Sequence, residues 1–219
     1  MNYILNIETA TKNCSVSLAL NGRTIALREI AEQDYSHAEK LHVFINEIMS
    51  EVGILFSNLS AVAVSQGPGS YTGLRIGVSA AKGFCYSLNI PLITIDTLTN
   101  LANKVKIEKG ILIPMIDARR MEVYSAVFDS NCKMIRKVKS EVLDENSFSD
   151  FEETIYFIGD SNEKAKTILK KVNFVFLDDL VYPSAKEMSK LSFQKFKDNC
   201  FEDVAYFEPN YLKNFMITK

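Results

Sequence analysis

The segment SQGPGSYTGLRIG, residues 65–77, limits the choice of fold more than any other. It follows the apolar run AVAVS, leads into LRIGVSAAKGFCYSL, and is followed by PLITI, which begins at Pro91. Strand, glycine-rich turn, helix and strand therefore come in that order. Such a turn can point backbone N–H groups and a helix amino terminus at an anion. The segment lacks the GK[ST] ending of a phosphate-binding P-loop and does not fit GxGxxG, so neither common nucleotide fingerprint applies. On general chemistry it reads as a tight turn at Gly67, Pro68 and Gly69, with Ser70 or Thr72 capping the helix. Gly73, Gly77, Ala80, Ala81 and Phe84 share one helical face, and a stripe of small residues admits a close neighbour, either an internal helix or another subunit.

Upstream, YILNI, CSVSLAL and RTIALREI read as three antiparallel strands, the last two joined at Asn21-Gly22, a dipeptide suited to positive φ. SHAEKLHVFINEIMSEVG has a helical apolar stripe, with capping-box spacing at Ser36 and Glu39 and a stop at Gly53. The first half thus runs βββαβαβ. A second series begins near GILIPMIDA and continues through EVYSAVFDS, KMIRKVKSEV, TIYFIG, a helix near NEKAKTILKKV, and NFVFL. It repeats the first half imperfectly, with the polar stretch around Asn100 to Lys109 as the crossing.

With 219 residues and 47% hydrophobic content, the chain can build a substantial core as one large or two small domains. Lys plus Arg number 25 against 27 Asp plus Glu, scattered along the chain, so no broad basic face for nucleic acid is expected. MNYILNIETA has neither a basic leader nor a long enough apolar run for a signal peptide, and no later segment is suited to span a bilayer. A cytoplasmic protein without membrane contact is expected. Cys14, Cys85, Cys132 and Cys200 form no CxxC pair, which argues for free thiols rather than zinc or redox chemistry. His37 and His42, five apart, would point about 140° apart on one helix, too far to share a metal. Two histidines also leave little for a nucleophile–histidine–acid set, so no catalytic residue and no metal site are expected.

GPGSYTGLRIG closely resembles the GPGSFTGLRIG motif of the bacterial TsaB (YeaZ) family of tRNA threonylcarbamoyladenosine biosynthesis. ILNIETATKNCSVSLALNG, SHAEKL, IDARRMEVYSAVF and the terminal EPNYLKN are similar to further family segments, with Lys213 in place of the usual arginine, which loses planar bidentate bonding. The resemblance implies an α/β fold of two tandem domains of the actin, sugar-kinase and heat-shock-ATPase type (ASKHA, ribonuclease H-like), the second degenerate. We expect a first domain over 1–103, a smaller one over 104–204, and a segment 205–219 packing back on the first. The resemblance also implies a non-catalytic partner of a TsaD-type catalytic subunit and a TsaE-type ATPase, reaching tRNA only through the complex and forming a homodimer when alone. It brings no intrinsic cofactor; ATP or ADP is expected only at the level of the complex.

On this reading the partner-interface candidates are His37, Leu41, Ile45, Gly73, Gly77, Ala80, Ala81 and Phe84. Glu8, Thr9, Gly67, Gly69, Ser70 and Thr72 are candidates for a vestigial nucleotide or anion site. Glu8 stands after the first strand, where nucleotide-binding members of the fold use Asp, though the simpler reading is a carboxylate bonded to loop N–H groups. Asp117, Arg119, Arg120 and Glu122 are expected to pair locally across a hairpin. The alternative class is an ATPase or phosphotransferase using the glycine loop with Glu8; a self-associating packing module is a third.

Overall fold

In the computed structural model, residues 1–31 and 37–212 are described. The expected cap at Ser36 and the Lys213 position lie outside them. Three antiparallel strands open the chain: β1 (Tyr3–Glu8), β2 (Asn13–Leu20) and β3 (Arg23–Ala31). Asn21 and Gly22 turn between β2 and β3 with φ of 48° and 83°. Helix α1 (His37–Val52) follows and stops at Gly53, whose φ is 71° and whose N–H donates back to Met49. Next come β4 (Leu59–Gly67), α2 (Tyr71–Leu88) and β5 (Leu92–Asp96), giving a sheet of order β3-β2-β1-β4-β5 with β4 parallel to both β1 and β5.

The short helix α3 (Thr97–Ala102) leads to β6 (Ile111–Asp117), β7 (Glu122–Phe128), β8 (Met134–Val142), β9 (Ile155–Ile158), α4 (Asn162–Ile168), β10 (Phe174–Phe176) and α5 (Ala185–Lys197). Their sheet, β10-β9-β6-β7-β8, has the topology of the first: an antiparallel trio, then two strands added in parallel beyond its first member. The imperfect repeat in the sequence is a repeat of topology. Where the first domain inserts α1 between its third and fourth strands, the second has a turn-rich segment over 143–154 that buries Leu143 and Phe148 on the sheet.

Each sheet is covered on both faces, and the helix that ends each half crosses to the other. On the first sheet, α1 and α2 bury Leu41, Ile45, Ile48, Val78 and Ala81 against Leu5, Ile7, Val16 and Val64. Its opposite face, with Ile4, Ala61, Ala63 and Ile93, takes Ala185 and Met188 of α5, from the far end of the second half. Conversely, α3 follows β5 but sets Leu98, Leu101 and Ala102 against Leu112, Ile116 and Phe128 of the second sheet. The expected boundary at 103/104 is therefore crossed twice: α3 packs with the second sheet, and α5, assigned to 104–204, with the first. Residues 201–212 run back over the first domain, through Glu202 N–H to Leu92 O, Lys82 Nζ to the Ala205 and Phe207 carbonyls, and Asn210 N–H to Gln66 O.

Candidate functional site

Glu8 ends β1 and is fully buried. Its Oε1 accepts from Ala10 N–H at 2.8 Å; its Oε2 accepts from Asn100 Nδ2 at 2.8 Å and from the Ser65 hydroxyl of β4. Burial pushes its pKa above the usual carboxylate range; the three donors oppose that shift without cancelling it, and nearby Asp96 adds to it. Asn100 also donates to Ser184 O at 3.0 Å, so one amide joins β1, α3 and the cap of α5. Glu8 is a sealed structural junction, as the simpler reading of the sequence expects.

The glycine loop closes onto the turn after Glu8. Ser70 caps α2 by accepting from Gly73 N–H at 3.2 Å, and its own N–H donates to Ala10 O at 2.7 Å. The helix therefore starts at Tyr71, three residues earlier than the apolar pattern suggests. Thr9 donates its hydroxyl to Gly73 O at 2.8 Å. A Cβ at Gly69 would run into Ala10 O, one at Gly73 into Thr9 O, and one at Gly77 into the Thr9 hydroxyl. At Gly67, with φ 105°, a Cβ would stand 2.8 Å from Asn210 O. The vestigial anion candidates Glu8, Thr9, Gly67, Gly69 and Ser70 thus meet one another or the chain's own backbone, and only Thr72 among the six faces solvent openly. The glycines admit the turn after β1, and that turn fills the cradle a phosphate would use.

Most of the interface candidates need correction for the same reason. His37, Leu41, Ile45, Gly73, Gly77 and Ala81 are buried inside the first domain. Leu41, Ile45 and Ala81 belong to its core, and the two glycines abut Thr9. His37 Nε2 lies 2.8 Å from the Thr11 carbonyl, to which it donates, and burial lowers its pKa although this bond works the other way. That nitrogen is engaged with backbone rather than with a nucleophile. Gly73, Gly77 and Ala81 of the small-residue stripe are internal packing.

On α2 the surface left outside begins one residue earlier on each turn, about 100° round the helix. His42, Ile76, Ser79, Ala80, Gly83, Phe84 and Ser87 line an open groove of about 400 Å³ between the helices. Phe84 is stacked on Phe56 at 5.4 Å between ring centroids, and the His42 ring is tilted to it at 6.2 Å. Ala80 and Phe84 therefore retain outward surface, joined by Ile76 and Gly83, which the sequence reading passed over; the spacing 76, 80, 83, 87 was the available signal. A larger depression of about 620 Å³ beside α1 is lined by Arg28, Glu47 and Glu51, which pair with one another, so its walls are charged.

At the matching end of the second sheet, the expected local pairing gives way to a longer link. Asp117 pairs with Lys164 of α4, whose Nζ also donates to Arg120 O at 3.1 Å and Glu122 O at 2.6 Å. Arg119 and Arg120 turn the β6–β7 hairpin with φ of 71° and 51°. Asp160 accepts from Asp117 N–H at 2.8 Å; its pKa is pushed up to about 6 by burial first and by the Asp117 charge, against Lys164 and Lys12. Among the described residues no group of three or more His, Cys, Asp or Glu is placed to hold a metal.

Two copies of one sheet topology, with their last helices exchanged across a shared junction at Glu8, define a two-domain protein of the ASKHA type. The chain belongs to the family described as TsaD, tRNA N6-adenosine threonylcarbamoyltransferase, whose model matches residues 28–215, and within it to the TsaB (YeaZ) group. It is 28% identical over 221 residues to the tRNA threonylcarbamoyladenosine biosynthesis protein TsaB of Escherichia coli K12, covering 96% of this chain and 94% of that one. It is also 28% identical over 129 residues to the tRNA N6-adenosine threonylcarbamoyltransferase of Bacillus subtilis, there spanning only 37% of the relative. YeaZ from Pseudomonas aeruginosa shares the fold at a TM-score of 0.83 and 24% identity, over 97% of this chain and all of that one. No helix among the described residues is long and apolar enough to cross a membrane.

Proposed function

We propose that this chain is a non-catalytic partner subunit in tRNA N6-threonylcarbamoyladenosine formation, docking a TsaD-type catalytic subunit through the groove between α1 and α2 and working with a TsaE-type ATPase in the cytoplasm. The names of its full-length relatives support the pathway. The observation that carries the partner role is the groove itself: it exposes Ile76, Ala80 and Phe84, while the glycine loop that would serve chemistry is filled by Thr9 and Ala10. Gly83 has open space over its Cα, so a partner helix can come close there. The same groove serves a second copy when the catalytic subunit is absent. With 25 basic against 27 acidic residues, tRNA is reached through the complex.

The test is threonylcarbamoyl transfer to tRNA by TsaD-type and TsaE-type subunits, with and without this chain, beside the chain alone. Transfer only in the complete mixture supports the reading. Turnover by the lone chain makes it an enzyme, and an unaffected TsaD reaction removes the role. Ala80→Arg and Phe84→Glu are expected to weaken association about tenfold or more while the monomer stays folded. Variants at Gly77 or Ala81 cannot serve, because those residues are buried.

A further inference from the structure

Beside the stretch 103–110, which joins α3 to β6 within the second domain, runs 177–184, which passes from β10 back to α5 on the first sheet. They are tied to each other where Lys104 Nζ donates to Tyr182 O at 2.8 Å. The second is also tied to the first sheet, through Asn13 Nδ2 to Pro183 O at 2.9 Å and Ala185 N–H to the Ser15 hydroxyl at 2.9 Å. One carboxylate oxygen draws these groups together. Glu29 Oε2, from the edge strand β3, accepts from the Ser184 hydroxyl at 2.5 Å, the Ser15 hydroxyl at 3.0 Å and Asn13 Nδ2 at 3.4 Å.

Burial alone would raise the Glu29 pKa, but these three donors and the Lys104 charge hold it below the usual range, so the carboxylate is kept ionised. Glu187, one turn into α5, feels the same Lys104 and the Glu29 charge. Glu29 is itself exposed; its bonds go to Ser184 at the end of the crossing and to Ser15 and Asn13 of β2, and Lys104 acts on it through charge. Glu29 thus fastens the crossing to the first sheet, and Lys104 fastens it to the connection behind α3.

We propose that Glu29 latches the 177–184 crossing to the first sheet while Lys104 holds the same crossing to the second domain, that the two ties keep the domains in one fixed orientation, and that freeing either turns the crossing into a hinge. This goes beyond the partner-subunit reading and does not depend on which protein docks. A fixed orientation keeps Lys12, on the turn after β1, near Asp160 of the second domain. A charge-assisted cluster at an exposed edge is also a place where a docking protein or a change of charge can release the hold.

The test uses the full chain with spin labels at Cys200, exposed beyond α5, and at Glu163→Cys, exposed on α4, in a Cys132→Ser background. The expected result is one narrow label-to-label distance distribution, broadened or split by Glu29→Gln and by Lys104→Met. Amide hydrogen exchange in both variants is expected to quicken about tenfold over 103–105 and 182–187, with β1, β4, β6 and β9 unchanged. A broad distribution before substitution overturns the proposal, as does a distribution that stays narrow in both variants. If Glu29→Gln loosens the whole fold, Lys104→Met, which leaves the cap of α5 intact, decides alone.

Discussion

The two domains answer the same topology with different investments. The first covers the outer face of its sheet with α1 and α2, of 16 and 18 residues; the second uses the segment over 143–154 and the 7-residue α4. Each places a positive-φ glycine at the end of its fourth strand, Gly67 as its last residue and Gly159 just beyond, and a serine at the helix cap that follows, Ser70 and Ser161. Each also puts a carboxylate at the end of its first strand, yet Glu8 is sealed by three donors while Asp117 is exposed and paired with Lys164. The close approach of turn to strand is what the topology requires twice. Long helices are an addition of the first domain, and they leave the groove that sets its surface apart.

The comparison breaks first at one glycine of close approach in each domain. A Cβ at Gly159 would collide with Met115 O and would sit on a backbone of φ 116°, while one at Gly73 would collide with Thr9 O. Gly159→Ala and Gly73→Ala are each expected to cost about 3 kcal/mol or more, read as lowered urea midpoints. Near-neutral midpoints in either would show that the approach is loose there. Leu41→Ala, which empties a fully buried site under α1, is expected to cost about 2–5 kcal/mol by the same measurement.

The same comparison shows what a reader of the sequence can reach. The strands and the long helices stand out because their apolar periods are strong, and Asn21-Gly22, Ser70 and Gly53 mark their ends by local chemistry. Helices α3 and α5 escaped notice, and they are the two that cross between domains. The first has six residues; the second buries Ser189 and Ser192 against Asn6 and Ser17, so polar residues stand where periodicity looks for apolar ones. Six of the eight interface candidates lie inside the first domain, and they misled for another reason. Small residues on a helix announce a close neighbour without saying which, and here the neighbour of Gly73 and Gly77 is Thr9, more than sixty positions away. Glu8 was legible as a bonded carboxylate, but Asn100 and Ser184, which complete its surroundings, lie on the two helices that were missed.

A smaller effect separates the carboxylates. The Asp160 pKa stands at about 6, above its ordinary 3.8, so the folded state binds the extra proton. Its contribution is then fully present below about pH 4 and is lost as pH rises through about 6. Asp160→Asn keeps an acceptor for Asp117 N–H and carries no charge. It is expected to match the unsubstituted chain below about pH 4 and to exceed it by about 2–3 kcal/mol at pH 7.5. Parallel stability curves across that range would mean that Asp160 is ionised as readily in the folded chain as in the unfolded one.

The smallest effect bears on the groove. Gly83 lies inside α2, where glycine costs about 0.5–1 kcal/mol relative to alanine, and beyond its own helical turn nothing among the described residues stands within 4 Å of the Cβ it lacks. Unlike Gly73 and Gly159, it answers no need of the fold. Gly83→Ala is therefore expected to stabilise the isolated chain by about that amount, a shift opposite in sign to the other two. If a partner helix uses the opening, the same methyl group weakens association while stability rises, since overpacking a tight contact is itself costly. Thermal melts of the chain and titration against the catalytic subunit measure the two quantities separately. A rise in stability with affinity unchanged would leave the space over Gly83 without a use, and would move the contact toward Phe84 and His42 on the α1 side of the groove.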